Sequence, residues 1–118
     1  MATKSSPSES TQRFANFLVA SDKIRRHKSG PGCDASEEAL LFALVAHWHQ
    51  GKPLAVREAM ALSHLASPST LHRRIARLHD LGLISHVGTA GNLRIKHLVP
   101  TPKTLAYLDK LGQLLAPN

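Results

Sequence analysis

The residues of this 118-residue chain best suited to chemistry lie in one run, Ser67-Pro68-Ser69-Thr70-Leu71-His72-Arg73-Arg74-Ile75-Ala76-Arg77-Leu78-His79-Asp80-Leu81-Gly82. Ser67 can accept an N–H of a first helical turn, and Pro68 suits the first helical position because the N–H it lacks would go unused there. Gly82 tolerates the left-handed conformation that follows a helix. Leu71, Ile75 and Leu78 fall at i, i+4, i+7 and form one apolar stripe. At about 100° per residue, Ser69, Thr70, Arg73, Ala76 and Arg77 point the other way. A short helix with arginines, hydroxyls and a small alanine outward has the size and chemistry to enter a DNA major groove.

Each residue of that face has a functional and a plain reading. Arg73 can grip a guanine edge through two hydrogen bonds, with Ser69 and Thr70 beside it; otherwise all three belong to a solvated helix face. Ser67 reads first as an N-cap, although the free N–H groups behind it also suit a phosphate. Arg74 and Arg77 are suited to phosphates, which position a protein without reading sequence. Arg74 lies on the flank of the stripe, so its stem can pack while its head reaches out. Further on, Arg94 and Lys96 share one face of an expected strand. There they either enter a minor groove or guard a solvated strand edge with charge. With His72 on the helix flank, the candidate DNA-contacting residues are Ser67, Ser69, Thr70, His72, Arg73, Arg74, Arg77, Arg94 and Lys96.

The elements that must position these residues follow from periodicity and punctuation. Residues 1–10 are polar, with no apolar face, and read as a disordered tail. Phe14, Phe17, Leu18 and Ile24 predict a helix from Thr11 to about His27, broken by Ser29-Gly30-Pro31-Gly32. Asp34 and Glu37 form a capping-box pattern ahead of a helix from about Ser36 to Gln50. Leu40, Leu41, Leu44, Val45 and Trp48 line one of its faces. Phe42 points elsewhere, which predicts packing on more than one side. Pro53-Leu54-Ala55 reads as extended and Val56 to Ser63 as a short helix. After Gly82 the period becomes extended: residues 83–87 and 93–99 read as strands joined by a hairpin loop over 88–92. A last helix from Pro102 or Lys103 to Leu115 spaces Leu105, Leu108, Leu111 and Leu115 by 3, 3 and 4.

Charge agrees with the reading-helix interpretation. Lys and Arg total 15 against 8 acidic residues, a formal +7. Residues 52–97 carry seven basic and two acidic groups, and residues 1–33 carry six and two. Such asymmetry is the footprint of a nucleic-acid binder, although a merely soluble basic protein shares it. The single cysteine, Cys33, excludes an intramolecular disulfide and suits a reducing compartment. The N-terminus carries no secretory signal and no run approaches a membrane span, so a cytoplasmic protein is expected, with no membrane contact.

The order helix, turn, helix, two-stranded hairpin is that of a winged helix-turn-helix. The segment LAVREAMALSHLASPSTLHRRIARLHDLGLI resembles the reading head of the bacterial MarR (multiple antibiotic resistance) regulators. LRIKHLVPTPKTLAYLDKL resembles that family's second wing strand running into its C-terminal helix. The likeness covers residues 36–115. Two features depart from the pattern. The family's wing usually carries an acidic residue followed by arginines, where this chain has Asn92, Leu93 and Arg94. Arg74 also stands where the family commonly has a hydrophobe.

The expectation is a mainly α protein with a small β-hairpin wing. It comprises a tail over 1–10, a helix and linker over 11–35, a winged helix-turn-helix over 36–102 and a dimerising C-terminal helix over 103–118. The resemblance implies a sequence-specific regulator of double-stranded DNA, a repressor, reading with helix 67–81 and wing 85–97 and acting as a homodimer. A cleft for a small-molecule effector is implied by the resemblance alone. Two other functions fit the same residues: an adaptor that docks an acidic protein surface, and a non-specific nucleoid or plasmid-maintenance protein.

Enzymatic chemistry is not expected, because no nucleophile–base pair, phosphate-binding glycine loop or paired carboxylate stands out. No cofactor is expected either. The eight histidines offer no pair three or four residues apart, and His72 and His79 lie about 10 Å apart along a helix, too far for one Zn²⁺. Cys33 beside Asp34 reads as an incidental loop cysteine, since a neighbouring acid raises a thiol's pKa rather than activating it.

Overall fold

The computed structural model describes residues 6–89 and 91–115. The order is α1 (Glu9–Arg26), α2 (Ala35–His49), α3 (Val56–Met60), α4 (Pro68–Asp80), β1 (Ile84–Thr89), β2 (Asn92–Pro100) and α5 (Pro102–Gln113). This is the expected mainly α fold with a β-hairpin wing.

Helix starts follow side-chain caps. Ser8 accepts the Thr11 N–H at 3.1 Å, so α1 begins at Glu9 and not after a disordered segment reaching residue 10. Residues 1–5 of that expected tail lie outside the described residues. The expected capping box is present on α2: Glu37 N–H donates to Asp34 Oδ1 at 2.7 Å, and Asp34 N–H donates to Glu37 Oε1 at 2.9 Å. Between α1 and α2, a Cβ on Gly30 would run into the carbonyls of Arg25 and His27, so only glycine closes this loop. α3 stops at Met60, short of the expected Ser63.

α4 ends as its sequence signals. Gly82 takes φ +73°, and Leu83 N–H reaches back to Leu78 O at 2.9 Å. This return bond satisfies a carbonyl that the helix end leaves open. The wing is an antiparallel pair with His86 opposite Leu98 and Gly88 opposite Lys96, and an irregularity at Gly88/Thr89. Leu98 N–H bonds Leu54 O at 2.8 Å, and Ala55 bridges His97, so the short extended piece before α3 lies along β2.

One core joins these parts. Leu40, Leu41 and Leu44 of α2 meet Leu71, Ile75 and Leu78 of α4 and Leu83, Ile84 and Leu98 of the wing base. The stripe predicted on α4 is therefore its buried side. Phe42 and Trp48 remain exposed, so α2 is not packed all round within one chain. On α5 the predicted leucine stripe gives way to a different face. Thr104, Tyr107 and Leu111 are buried, while Leu105 and Leu115 are exposed.

The molecule is elongated, 62 × 31 × 27 Å, with a radius of gyration of 17.1 Å. A compact chain of this size has about 13–14 Å. The outer face of α1 shows Phe14 at 61 % and Val19 at 60 % exposure.

Candidate nucleic-acid interface

α4 is amphipathic in a way that separates its two tasks. With Leu71, Ile75 and Leu78 in the core, Ser69, His72, Arg73, Ala76 and Arg77 are exposed. Ser67 is the N-cap: its Oγ accepts the Thr70 N–H at 3.4 Å and donates to Thr70 Oγ1 at 3.1 Å. That contact draws Thr70 partly inward, so its hydroxyl serves the cap and is less open than that of Ser69. Arg74 is half-buried, as its place on the flank of the stripe implies.

Arg77 differs from its neighbour Arg73. Its Nε lies 3.5 Å from Glu37 Oε2 of α2, while Arg73 takes part in no ion pair among the described residues. Glu37 thereby ties the α2 capping box to the C-terminal half of α4. Of the two exposed arginines, Arg73 is the one whose head is turned to solvent without an acidic tether.

On the wing, Arg94 and Lys96 are exposed and share the face of Leu98 and His86. Asn92 Oδ1 accepts the Arg94 N–H at 2.9 Å, which fixes the backbone entering β2. An open cleft of about 640 Å³ runs between this face and the start of α3, with Arg57, Arg94 and Lys96 on its walls and Glu58 opposing them.

The fold also makes a contact that spacing along the chain did not reveal. His79, in the last turn of α4, and His86, on β1, have ring centroids 5.0 Å apart at 66°, edge to face. His79 Nδ1 lies 4.0 Å from Asp80 Oδ1. Burial, then His79 and Lys96, pushes the pKa of His86 below its ordinary value. Among the described residues, no three His, Cys, Asp or Glu side chains gather as a metal site.

A second set went unnoticed in the sequence. Glu38, buried on α2, accepts both Arg25 Nε of α1, at 3.1 and 2.9 Å, and Tyr107 Oη of α5, at 2.6 Å. Three helices thus converge on one carboxylate. Cys33 sits half-buried nearby, its thiol pushed up to about 11 by burial and then by Glu38 and Glu37. A group held that firmly as thiol is a poor nucleophile at neutral pH.

Solved structures share this architecture. Staphylococcus aureus MepR bound to ethidium bromide superposes with a TM-score of 0.67 at 14 % identity, over 92 % of this chain and 76 % of that one. The transcriptional regulator Tm0710 from Thermotoga maritima gives 0.60 at 20 % identity, over 89 % and 70 %. The S. aureus MepR–DNA complex gives 0.54 at 18 % identity, over 91 % and 76 %. The fold is the MarR type of winged helix. Identities this low convey architecture, and the residues that act must be argued from this chain. No protein-family model matches the sequence, and no curated protein is significantly similar to it. In this fold α4 is the second helix of the helix-turn-helix and β1–β2 form the wing hairpin. Among the described residues, no helix is long and apolar enough to cross a membrane.

Proposed function

We propose that this chain is a sequence-specific double-stranded DNA-binding transcriptional regulator, a repressor, that works as a two-fold dimer. The observation that carries the reading is the one-sidedness of α4: its aliphatic stripe is spent on the core, and a basic, hydroxyl-bearing face is left to solvent. On that side α4 places arginines, of which Arg73 has no acidic partner among the described residues. A major groove, with guanine acceptors facing out, has a use for them. The wing would lie along the adjacent minor groove or backbone through Arg94 and Lys96. A protein of the same fold solved with DNA supports this reading.

The dimer rests on the apolar surface of α1 and the end of α5. Phe14, Phe17 and Leu115 border one groove there, and Val19 and Leu18 lie exposed nearby. An exposed apolar area of this kind marks an association surface. A second copy placed by a two-fold axis would set the two α4 helices about one turn of DNA apart, roughly 34–36 Å, on a palindromic site.

The test is selection of bound sequences from a random duplex pool, followed by salt titration on the selected and a scrambled duplex. A regulator yields a palindromic consensus and keeps an affinity ratio of roughly a thousandfold or more. Equal affinity for both duplexes, falling together with salt, would mark a binder that uses charge alone.

A further inference from the structure

The niche between α4 and the wing contains a charge-variable pair that the reading helix does not need. His79 and His86 meet edge to face across a solvent-open niche of about 220 Å³, with His72 and Ala76 of α4 on its near wall. The niche opens beside the cleft under the wing, since Val56 and His86 line both. If α4 lies in a major groove and the wing in the next minor groove, the sugar-phosphate strand between the grooves must pass over this niche. We propose that His79 and His86 are a proton-gated phosphate contact, which takes up a proton when the DNA backbone settles between reading helix and wing. The inference rests on the DNA-binding function proposed above.

The charges around the pair make the gating one-sided. Asp80 on α4 places a carboxylate oxygen 4.0 Å from His79 Nδ1. Burial, then the facing His79 ring and Lys96 of β2, disfavours an imidazolium at His86, whose pKa is lowered. Arg94 and His97 of β2 and Arg57 of α3 add positive or protonatable groups around the adjoining cleft, and Glu58 of α3 is the acid among them. His72 is the third imidazole of the niche. Two imidazolium ions in contact repel, so the free protein resists holding a proton on both rings. A phosphate between them removes that repulsion and supplies a charge-assisted acceptor. DNA therefore raises the His86 pKa, and by linkage a falling pH tightens DNA binding.

The experiment measures DNA affinity from about pH 6 to about pH 8 at constant ionic strength, for the parent chain, His86→Gln and His79→Gln. The parent should bind about fivefold or more tighter at the acid end, and each glutamine variant should lose most of that gain. His86→Lys, charged throughout, should hold its affinity at the alkaline end. In parallel, nuclear magnetic resonance should show the His86 titration moving to higher pH when a duplex is added. The contact is to backbone, so a scrambled duplex reads it as well as a selected one. Equal pH dependence in the parent and both glutamine variants would overturn the proposal while leaving sequence selectivity intact. Loss of selectivity with the histidine effect retained would instead count against the reading helix, and no binding to any duplex would defeat both.

Discussion

Tyr107 of α5 donates a 2.6 Å hydrogen bond to Glu38 of α2, a carboxylate that also receives Arg25 of α1. The two residues are 69 positions apart, and their bond ties the C-terminal helix to α2. A buried hydrogen bond to a charged group contributes about 1.5–3 kcal/mol, so Tyr107→Phe should lower stability by about that much in denaturant unfolding. The same bond carries a pH signature. Burial and then Glu38 raise the Tyr107 pKa above its ordinary value of about 10. Its contribution is thus fully present below about pH 10 and declines as the pH climbs beyond. The melting-temperature gap between parent and Tyr107→Phe should narrow above that point. A constant gap would mean the hydroxyl contributes nothing ionisable.

Arg73 and Arg94 should fail differently when replaced by alanine. Arg73→Ala should cost about 1–3 kcal/mol on the selected site and relax preference at one base pair per half-site. Arg94→Ala should weaken selected and scrambled duplexes alike and reduce the salt slope by about one. Both side chains are outside the core, so neither change should shift unfolding by more than about 0.5 kcal/mol. If Arg73→Ala kept the parent's selectivity, α4 would not be the reading element.

The α1 surface should report on assembly. The parent should sediment at about twice the 12.8 kDa chain mass at micromolar concentration. Phe14→Asp or Val19→Lys places a charge on the exposed apolar face and should shift the population to monomer, with the helical circular-dichroism signal retained. A parent monomeric at every concentration would remove the dimer.

Cys33 should behave as a protected thiol. With its pKa near 11, reaction with a disulfide reagent at neutral pH should be slow in the folded chain and speed up by an order of magnitude or so in urea. Equal rates in both conditions would show that burial does not shield it.

The parts of the fold that were legible in the sequence are the local ones. Ser67, Pro68, Gly82 and the Leu71–Ile75–Leu78 stripe lie within one helix, and their signals need no distant partner. The side of α5 that packs within the chain was not visible in the sequence because it is partly polar. Thr104 Oγ1 donates to Leu83 O, 21 residues away, and Tyr107 reaches Glu38. Periodicity sees leucines but cannot see partners brought by the fold, so the leucine stripe stood out and Thr104 did not. Ser8 was overlooked because a cap is recognised by the helix behind it, and Glu9 and Ser10 carry no apolar mark. The His79–His86 contact was hidden for the same reason: it exists only once β1 folds back against α4.

Just past α4, three side chains from the start of α5 take three successive carbonyls. Lys103 Nζ donates to Leu81 O at 2.9 Å, Thr101 Oγ1 to Gly82 O at 2.6 Å and Thr104 Oγ1 to Leu83 O at 2.6 Å. Mechanically this is a keyed joint, not a swivel. Gly82 turns the chain sharply, yet the elbow it makes is pinned on its far side, so α5 cannot roll about its own axis and leave the end of α4 where it was. Torque applied along α5 arrives at α4, and so at Arg73, as a change of aim. Under the proposed function, the tilt of α5 thereby becomes one of the settings of the reading surface.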